Sequence, residues 1–456
     1  MGGSLSTETI DQLRAEFSGE LLTPDDPHYE WARQIHNGMV DKRPTLITRC
    51  QNTADIVDAV AFGRDNGLEL SVRGGGHSVA GRSATDGGLM IDLQAMKGVH
   101  VDAKNRTVRA QGGVTWGEYN RATHAYDLAT TGGVISTTGI AGLTLGGGVG
   151  WLMAKFGLAI DNLLSVEIVT ADGEIRTASE EEDPDLFWAV RGGGGNFGVV
   201  SSFEYRAHRL SKVLGGLIAF PYAEARNVLE YCRSATADLP DEMTVFFGLV
   251  HAPDGSGEKL AAVALCHCGD PEQAEADTKS WRALPAVALD AIARMPYPVV
   301  NTLLDDGYPK GARNYWKSAF VKELSDEALD IMIDAFAGAP SAMNAILLEH
   351  YHGQATRIAA TATAYPHRDP GYNLGVFGTW LDASDDSANV AWTKESFGAC
   401  RSFVAEAAYV NYLDNDDGDR VRAAYGVNWP RLVELKKRYD PENVFHLNQN
   451  IDPMTG

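Results

Sequence analysis

The chain has 456 residues, enough for two or three domains with substantial cores, and 61 acidic against 39 basic side chains leave a net charge of -22. That balance excludes a nucleic-acid or anionic-membrane binder, which needs clustered Lys and Arg to neutralise phosphate. No basic stretch leads into an apolar segment near residue 1, and no apolar run reaches the roughly 18 residues of a spanning helix, so the sequence reads as soluble and cytoplasmic, with a small molecule as partner.

Thr7 to Phe17 has a helical pattern, and Thr45 to Cys50 that of a strand. Asn52 then offers an N-cap for a helix with Ile56, Val57, Val60 and Ala61 on one face, ending near Gly67. Leu68, Leu70 and Val72 alternate with Glu69, Ser71 and Arg73 as in a second strand, which breaks into Gly74-Gly75-Gly76-His77-Ser78. Strand, helix and strand in this order predict a βαβ unit, with parallel strands and the glycine turn at a carboxyl end where phosphates bind. Glycines can bring consecutive backbone N–H groups close to such a phosphate, and Arg73 can add charge.

Gly88 to Leu93 and Thr107 to Gln111 are expected to extend the same sheet through hairpins, and Thr115 to Tyr126 to form a short helix. A second glycine cluster follows in Gly132-Gly133, Gly139, Gly142 and Gly146-Gly147-Gly148-Val149-Gly150. Its Ile135, Ile140, Leu143 and Leu145 are too apolar for a solvated linker, which points to a long loop wrapped around a ligand. Leu164 to Thr170 and Ile175 to Ala178 read as a hairpin about Asp172-Gly173. A third cluster lies between Leu186 and Val200. None of the three has the dinucleotide or Walker spacing, so a large, phosphate-bearing ligand held by several loops fits best.

From Leu217 to Ala405 the glycine clusters vanish and a second, α+β domain is expected. Its candidate helices are Ala223 to Asp238, Pro271 to Leu284 and Ser325 to Phe336; its strands are Met243 to Val250, Lys259 to His267, Ala345 to His352 and Tyr372 to Trp380. His350 and His352 share one strand face with Leu348, and Tyr351 shares the other with Glu349. Either set is a candidate for a pocket, and His350 and His352 are taken as the substrate residues. The five cysteines are scattered and suggest no disulfide framework. Cys266-His267-Cys268 lacks a second ligand pair at zinc spacing, so no metal site is expected. Tyr409-Val410-Asn411-Tyr412 reads as strand, with Tyr409 and Asn411 on one face, and Asn428 to Tyr439 as a helix ended by Asp440-Pro441.

Taken together, Arg73 to His77, Gly146 to Gly150 before Lys155 to Asn162, Phe187 to Gly198, Tyr409 to Tyr412 and Tyr439 to Phe445 resemble the berberine-bridge-enzyme-like FAD-linked oxidases of the vanillyl-alcohol-oxidase superfamily. Within that group they look most like the bacterial 6-hydroxy-D-nicotine oxidase type. The resemblance spans residues 40–210 and 400–451. It implies an α+β fold in which a two-part FAD-binding domain, residues 1–210 and 406–456, embraces a substrate domain, residues 211–405, built on an antiparallel sheet.

It further implies FAD joined through its 8α-methyl group to His77. Many plant members add a cysteine link, but Ile135 stands at that position, so a single attachment is expected. The cofactor contacts carried over are Arg73, Gly74, Gly75, Gly76, Ser78 and Gly81 from the first cluster. Gly133, Thr137, Thr138, Gly139, Gly142, Thr144, Gly147, Gly148 and Gly150 come from the second, and Gly198, Val199, Val200, Asn411, Asn448 and Asn450 from the rest. Thr138 matches a position that gates dioxygen. Tyr365 to Arg368 resembles a recurrent segment read as structural. A tyrosine of the Tyr409–Tyr412 motif is implied as catalytic base, Tyr412 ahead of Tyr409; a phenol near pKa 10 needs a neighbour to act so at pH 7. The implied reaction takes hydride from a carbon bearing O–H or N–H and reduces dioxygen to hydrogen peroxide. A flavin dehydrogenase or oxidative cyclase is the alternative.

Overall fold

A computed structural model describes residues 5–455. The first layer holds α1 (Thr7–Glu16), β1 (Glu20–Leu22), β2 (Leu46–Arg49), α2 (Thr53–Asp65), β3 (Leu70–Arg73) and β4 (Leu89–Asp92). Asn52 caps α2, its side chain accepting from the Asp55 N–H. β2 and β3 are parallel, but β4 lies between them and pairs with both in the same direction, giving the order β1-β2-β4-β3. The hairpin extension expected here is therefore wrong. All four residues of β4 are buried, which suits the centre of a parallel sheet covered on both faces rather than its edge.

Thr107–Gln111 leaves this sheet altogether. With β5 (Val99–Asp102) it forms β6, the start of a second, antiparallel sheet ordered β5-β6-β9-β7-β8. The other strands are β7 (Leu163–Val169), β8 (Ile175–Ser179) and β9 (Val199–Arg206). Between them α3 (Trp116–His124) starts at a capping box made by Thr115 and Glu118. The second glycine cluster is not all loop: Ile140–Leu145 forms one short helix, α4, with Ile140, Ala141, Thr144 and Leu145 buried.

The third sheet is antiparallel. It contains β10 (Lys212–Pro221), β11 (Met243–His251), β12 (Lys259–His267), β13 (Arg313–Val321), β14 (Ala345–Tyr351) and β15 (Gly371–Trp380), ordered β10-β12-β11-β14-β15-β13. Helices α5 (Ala225–Ala235), α6 (Pro271–Arg282), α7 (Asp326–Ala337) and α8 (Asp386–Ala399) belong to the same region. The period of two then divides the strands. Ile346, Leu348, Leu374 and Val376 pack with Leu329, Met332 and Phe336 of α7. On the other face Phe246 and Tyr351 pack with Trp151 and Tyr409, while Trp316, Ala345 and Phe377 meet Val79 of the first glycine segment. Helices thus cover one face, and the glycine-rich loops lie against the other.

The chain then returns through α9 (Trp429–Tyr439). The fully buried Lys436 ammonium donates to the Asn196 carbonyl at 2.7 Å, the Phe445 carbonyl at 2.9 Å and the Asp440 carboxylate at 2.6 Å. Arg368 makes a two-pronged buried pair with Asp161, both contacts 2.8 Å, and so ties the Tyr365–Arg368 segment to the Lys155–Asn162 segment that follows the second glycine cluster. Tyr409–Tyr412 is not a strand. Val410–Tyr412 is a single 3-10 turn, closed by the Tyr412 N–H on the Tyr409 carbonyl, and the turn aims both phenols inward. His267 of β12 pairs with Asp277 at 2.9 Å, and all five cysteines are free and buried. Among the described residues no helix is long and apolar enough to cross a membrane.

Candidate active site

The glycine segments and the free face of the third sheet enclose a cavity of about 290 Å³. Gly74 to Ser78 form part of its wall directly after β3. Here two backbones cross: a Cβ on Gly75 or Gly139 would stand 2.3 Å from the nitrogen of the other, so neither position admits a side chain. Gly76 turns with φ +73°, a conformation that favours glycine. The N–H groups of Gly75, Gly76, His77 and Ser78 donate to no acceptor among the described residues, leaving a row of donors suited to an anion.

His77 borders the cavity and is half-buried there, with the His36 ring packed against it. That desolvation, with His36 beside it, pushes its pKa down to about 3. The His36 ring stacks on it at 3.7 Å and 23°, and is itself pushed down to about 4 by burial. Both imidazoles are therefore neutral at pH 7. His77 Nε2 lies 3.1 Å from the Thr137 hydroxyl, so Thr137 acts on the histidine rather than lining the cavity.

Of the residues expected at the cofactor, Gly142, Gly198, Val199, Val200 and Asn448 line the cavity, as do Thr138 and Gly139. Others do not. Arg73 turns away into a fully buried pair with Asp92, at 3.0 and 2.6 Å, and also donates to the Ala32 and Gln34 carbonyls; the carboxylate one strand across captured it. Thr144 points into the core, its hydroxyl 2.8 Å from that of Tyr205. Gly81, Gly133, Gly147, Gly148, Gly150 and Asn450 lie outside the lining. Close packing explains these glycines: a Cβ on Gly150 would meet the Gly132 carbonyl at 1.5 Å, and one on Gly148 would meet Ala159 at 2.3 Å.

His350 and His352 face the wrong way for a substrate pocket. His350 sits opposite Tyr372 on the helix-covered side, its ring 4.7 Å from that of His352, whose Nε2 contacts the Met243 carbonyl at 2.9 Å. Burial pushes His350 down to about 3. The other set on that strand reaches the site. Glu349, on the Tyr351 side, accepts from the Tyr412 hydroxyl at 2.8 Å and from the Asn373 amide at 2.7 Å. Burial raises its pKa to about 7, held from rising further by those two donors. The alternation along Ala345–Tyr351 was the available signal, but nothing in the sequence marked Glu349 as the partner of a residue in the Tyr409–Tyr412 segment.

The two tyrosines now separate. The Tyr409 oxygen accepts from the Gly148 N–H at 3.0 Å, the Val149 N–H at 3.4 Å and the Asn411 amide at 2.8 Å. Burial still raises it, to about 12, against those donors. Its oxygen is already occupied on the protein side. Asn411 also donates to the Leu143 carbonyl at 3.1 Å, locking the turn onto α4. Tyr412 lines the cavity with its hydroxyl on Glu349, and burial and that carboxylate hold it well above the ordinary phenol value. Trp316, Phe377 and Tyr412 meet edge to face at 5.0 to 5.8 Å, an aromatic corner at this end. On lining residues, Arg82 Nε, Ser83 Oγ, Trp316 Nε1, Asn448 Oδ1 and Gln449 Oε1 are buried with no partner, as expected of a cradle for a large polar ligand.

Free backbone donors, a neutral histidine and a phenol–carboxylate pair under an antiparallel sheet fit the class of flavin-dependent oxidoreductases, and similarity to known proteins assigns the chain to it. Residues 44–179 match the FAD-binding-domain family and residues 408–452 the family of berberine and berberine-like proteins. The chain is 32% identical over 456 residues to (R)-6-hydroxynicotine oxidase of Paenarthrobacter nicotinovorans, covering 95% of this chain and 97% of that protein. It is 27% identical to berberine bridge enzyme-like 4 of Arabidopsis thaliana, covering 90% and 84%. The crystal structure of 6-hydroxy-D-nicotine oxidase from Arthrobacter nicotinovorans superposes with a TM-score of 0.89 at 30% identity, covering 98% of this chain and all of that one. This chain belongs to the berberine-bridge-enzyme-like FAD-linked oxidoreductases.

Proposed function

We propose that this enzyme is an oxidase whose FAD is held by one covalent bond to His77 and whose proton acceptor is Tyr412 acting with Glu349. The carrying observation is the 2.8 Å contact between that phenol and that carboxylate at the wall of the cavity. Tyr412 alone is a poor base, because burial disfavours its phenolate. Joined to Glu349 it becomes a relay. As Tyr412 Oη takes a proton from the substrate O–H or N–H, its own proton moves to the Glu349 carboxylate, which Asn373 orients. FAD, when bound, supplies a two-electron acceptor that takes hydride from the adjacent carbon and returns the electrons to dioxygen as hydrogen peroxide.

The neutral state of His77 supports the attachment, since an imidazole must carry a free lone pair to bond carbon. Gly74 to Ser78 and Asn448 would hold the cofactor, with Thr138 at its side toward dioxygen. The aromatic corner at Trp316 and Phe377 favours a substrate with a flat ring, and the similarity to (R)-6-hydroxynicotine oxidase supports an aromatic ring carrying a hydroxyl or amine as its class. The test is peroxide yield per substrate oxidised. One equivalent supports the oxidase; turnover that requires an artificial acceptor refutes it in favour of a dehydrogenase.

A further inference from the structure

Arg73, the arginine beside the glycine turn, is spent on Asp92. FAD carries a diphosphate, and the net charge of -22 makes the surroundings of any bound anion unfavourable by default. The cavity lining is informative here: among the described residues it includes no Asp, no Glu and no Lys, and Arg82 is its single fixed cation.

Arg82 follows the first glycine segment closely, its backbone N–H donating to the Ser78 hydroxyl at 3.2 Å. Among the described residues no carboxylate oxygen pairs with it, although most arginines of this acidic chain have such a partner. Its Nε is buried and makes no hydrogen bond within the protein. Lys42 stands behind the same turn, donating to the Gly81 and Ala84 carbonyls at 3.2 and 3.0 Å, a second cation close to Arg82. Burial and the cost of removing it from water lower the Arg82 pKa, with Asp414 and Glu69 only partly offsetting this. A half-buried guanidinium with a buried, unpaired Nε and no carboxylate in direct contact is incompletely satisfied, and an anion brought in by a ligand would complete it.

We propose that Arg82 supplies the positive charge for the FAD diphosphate, beside the free N–H groups of Gly75 to Ser78, in the place Arg73 would be expected to fill. The inference rests on FAD being the cofactor and not on the oxidase reading.

The test is noncovalent binding to the full chain carrying His77→Ala, freed of flavin by dialysis, with FAD, ADP and riboflavin as separate probes in calorimetry. Adding Arg82→Gln is expected to weaken FAD and ADP by about tenfold to a hundredfold and to leave riboflavin within about twofold. Arg82→Lys is expected to recover most of the loss, and the affinity for FAD and ADP to fall less steeply with salt in the Gln variant than in its parent. Unchanged FAD and ADP affinity would overturn the inference, assigning Arg82 to another anion such as one borne by the substrate. An equal fall for all three probes would also overturn it, because riboflavin has no phosphate and only a packing role moves it. Failure of the His77→Ala parent to bind FAD, with no flavin in the unmodified protein, would remove the cofactor reading and this inference with it.

Discussion

Replacing Glu349 by Gln keeps the size of the side chain and its contacts with Tyr412 and Asn373 but removes the charge. In the folded protein this carboxyl holds its proton to about pH 7, against 4.5 for the ordinary group. Between those two values the folded state binds more protons than the unfolded one, so stability falls as pH rises, by about 3 kcal/mol in all, and is level above pH 7. Glu349→Gln lacks that loss. Its advantage in Tm over the parent is expected to be absent near pH 4.5, to grow across the window and to reach a few degrees by pH 8. Activity moves the other way, because only the ionised carboxylate accepts the relayed proton. The rate of anaerobic flavin bleaching by substrate should climb with pH through a midpoint near 7 in the parent. In the variant it should be slower by about a hundredfold to ten-thousandfold, with that limb gone. A variant that keeps both the rate and the limb would refute the relay.

His77→Ala should fold and bind FAD reversibly; acid precipitation is expected to leave flavin in the parent pellet and none in the variant pellet. Tyr412→Phe should lower the bleaching rate by about a hundredfold or more. Tyr409→Phe should instead cost about 1 to 3 kcal/mol of stability in chemical denaturation, since it strands the donors at Gly148, Val149 and Asn411. Asp161→Asn leaves the buried Arg368 without its counter-charge and should destabilise by about 3 to 5 kcal/mol, read by the same method.

Local rules made much of this fold legible. The Asn52 cap, the strand alternation into Gly74 and the Asp172-Gly173 hairpin depend on neighbours in sequence, and each element formed where its chemistry called for it. Pairing across long distances was not legible. Nothing local says that β4 would slip between β2 and β3, or that β6 would start a different sheet. The site divides on the same line. His77 and its glycines are read from one motif, whereas Arg73 was lost to Asp92, a partner fixed only when β3 and β4 lie side by side. Alternation puts Glu349 on the strand face it shares with Tyr351, but nothing local marks it further, because its role depends on a phenol 63 residues along the chain. Tyr409–Tyr412 has the alternation of a strand yet forms a turn, because alternation over four residues does not distinguish an extended segment from a turn held by its own side chains.

The Asn411 amide reaches back 268 residues to the Leu143 carbonyl, and the turn it locks carries both phenols of the site. On a ribosome adding about 5 to 20 residues each second, that separation is a delay of roughly 10 to 60 s. Through that interval the nascent chain exposes the first two glycine segments and His77 without the turn that closes over them. Cofactor capture in a form able to react is therefore a late event in the life of each molecule. A chain cut short anywhere before Tyr409 would display much of a flavin cradle and none of its proton chemistry.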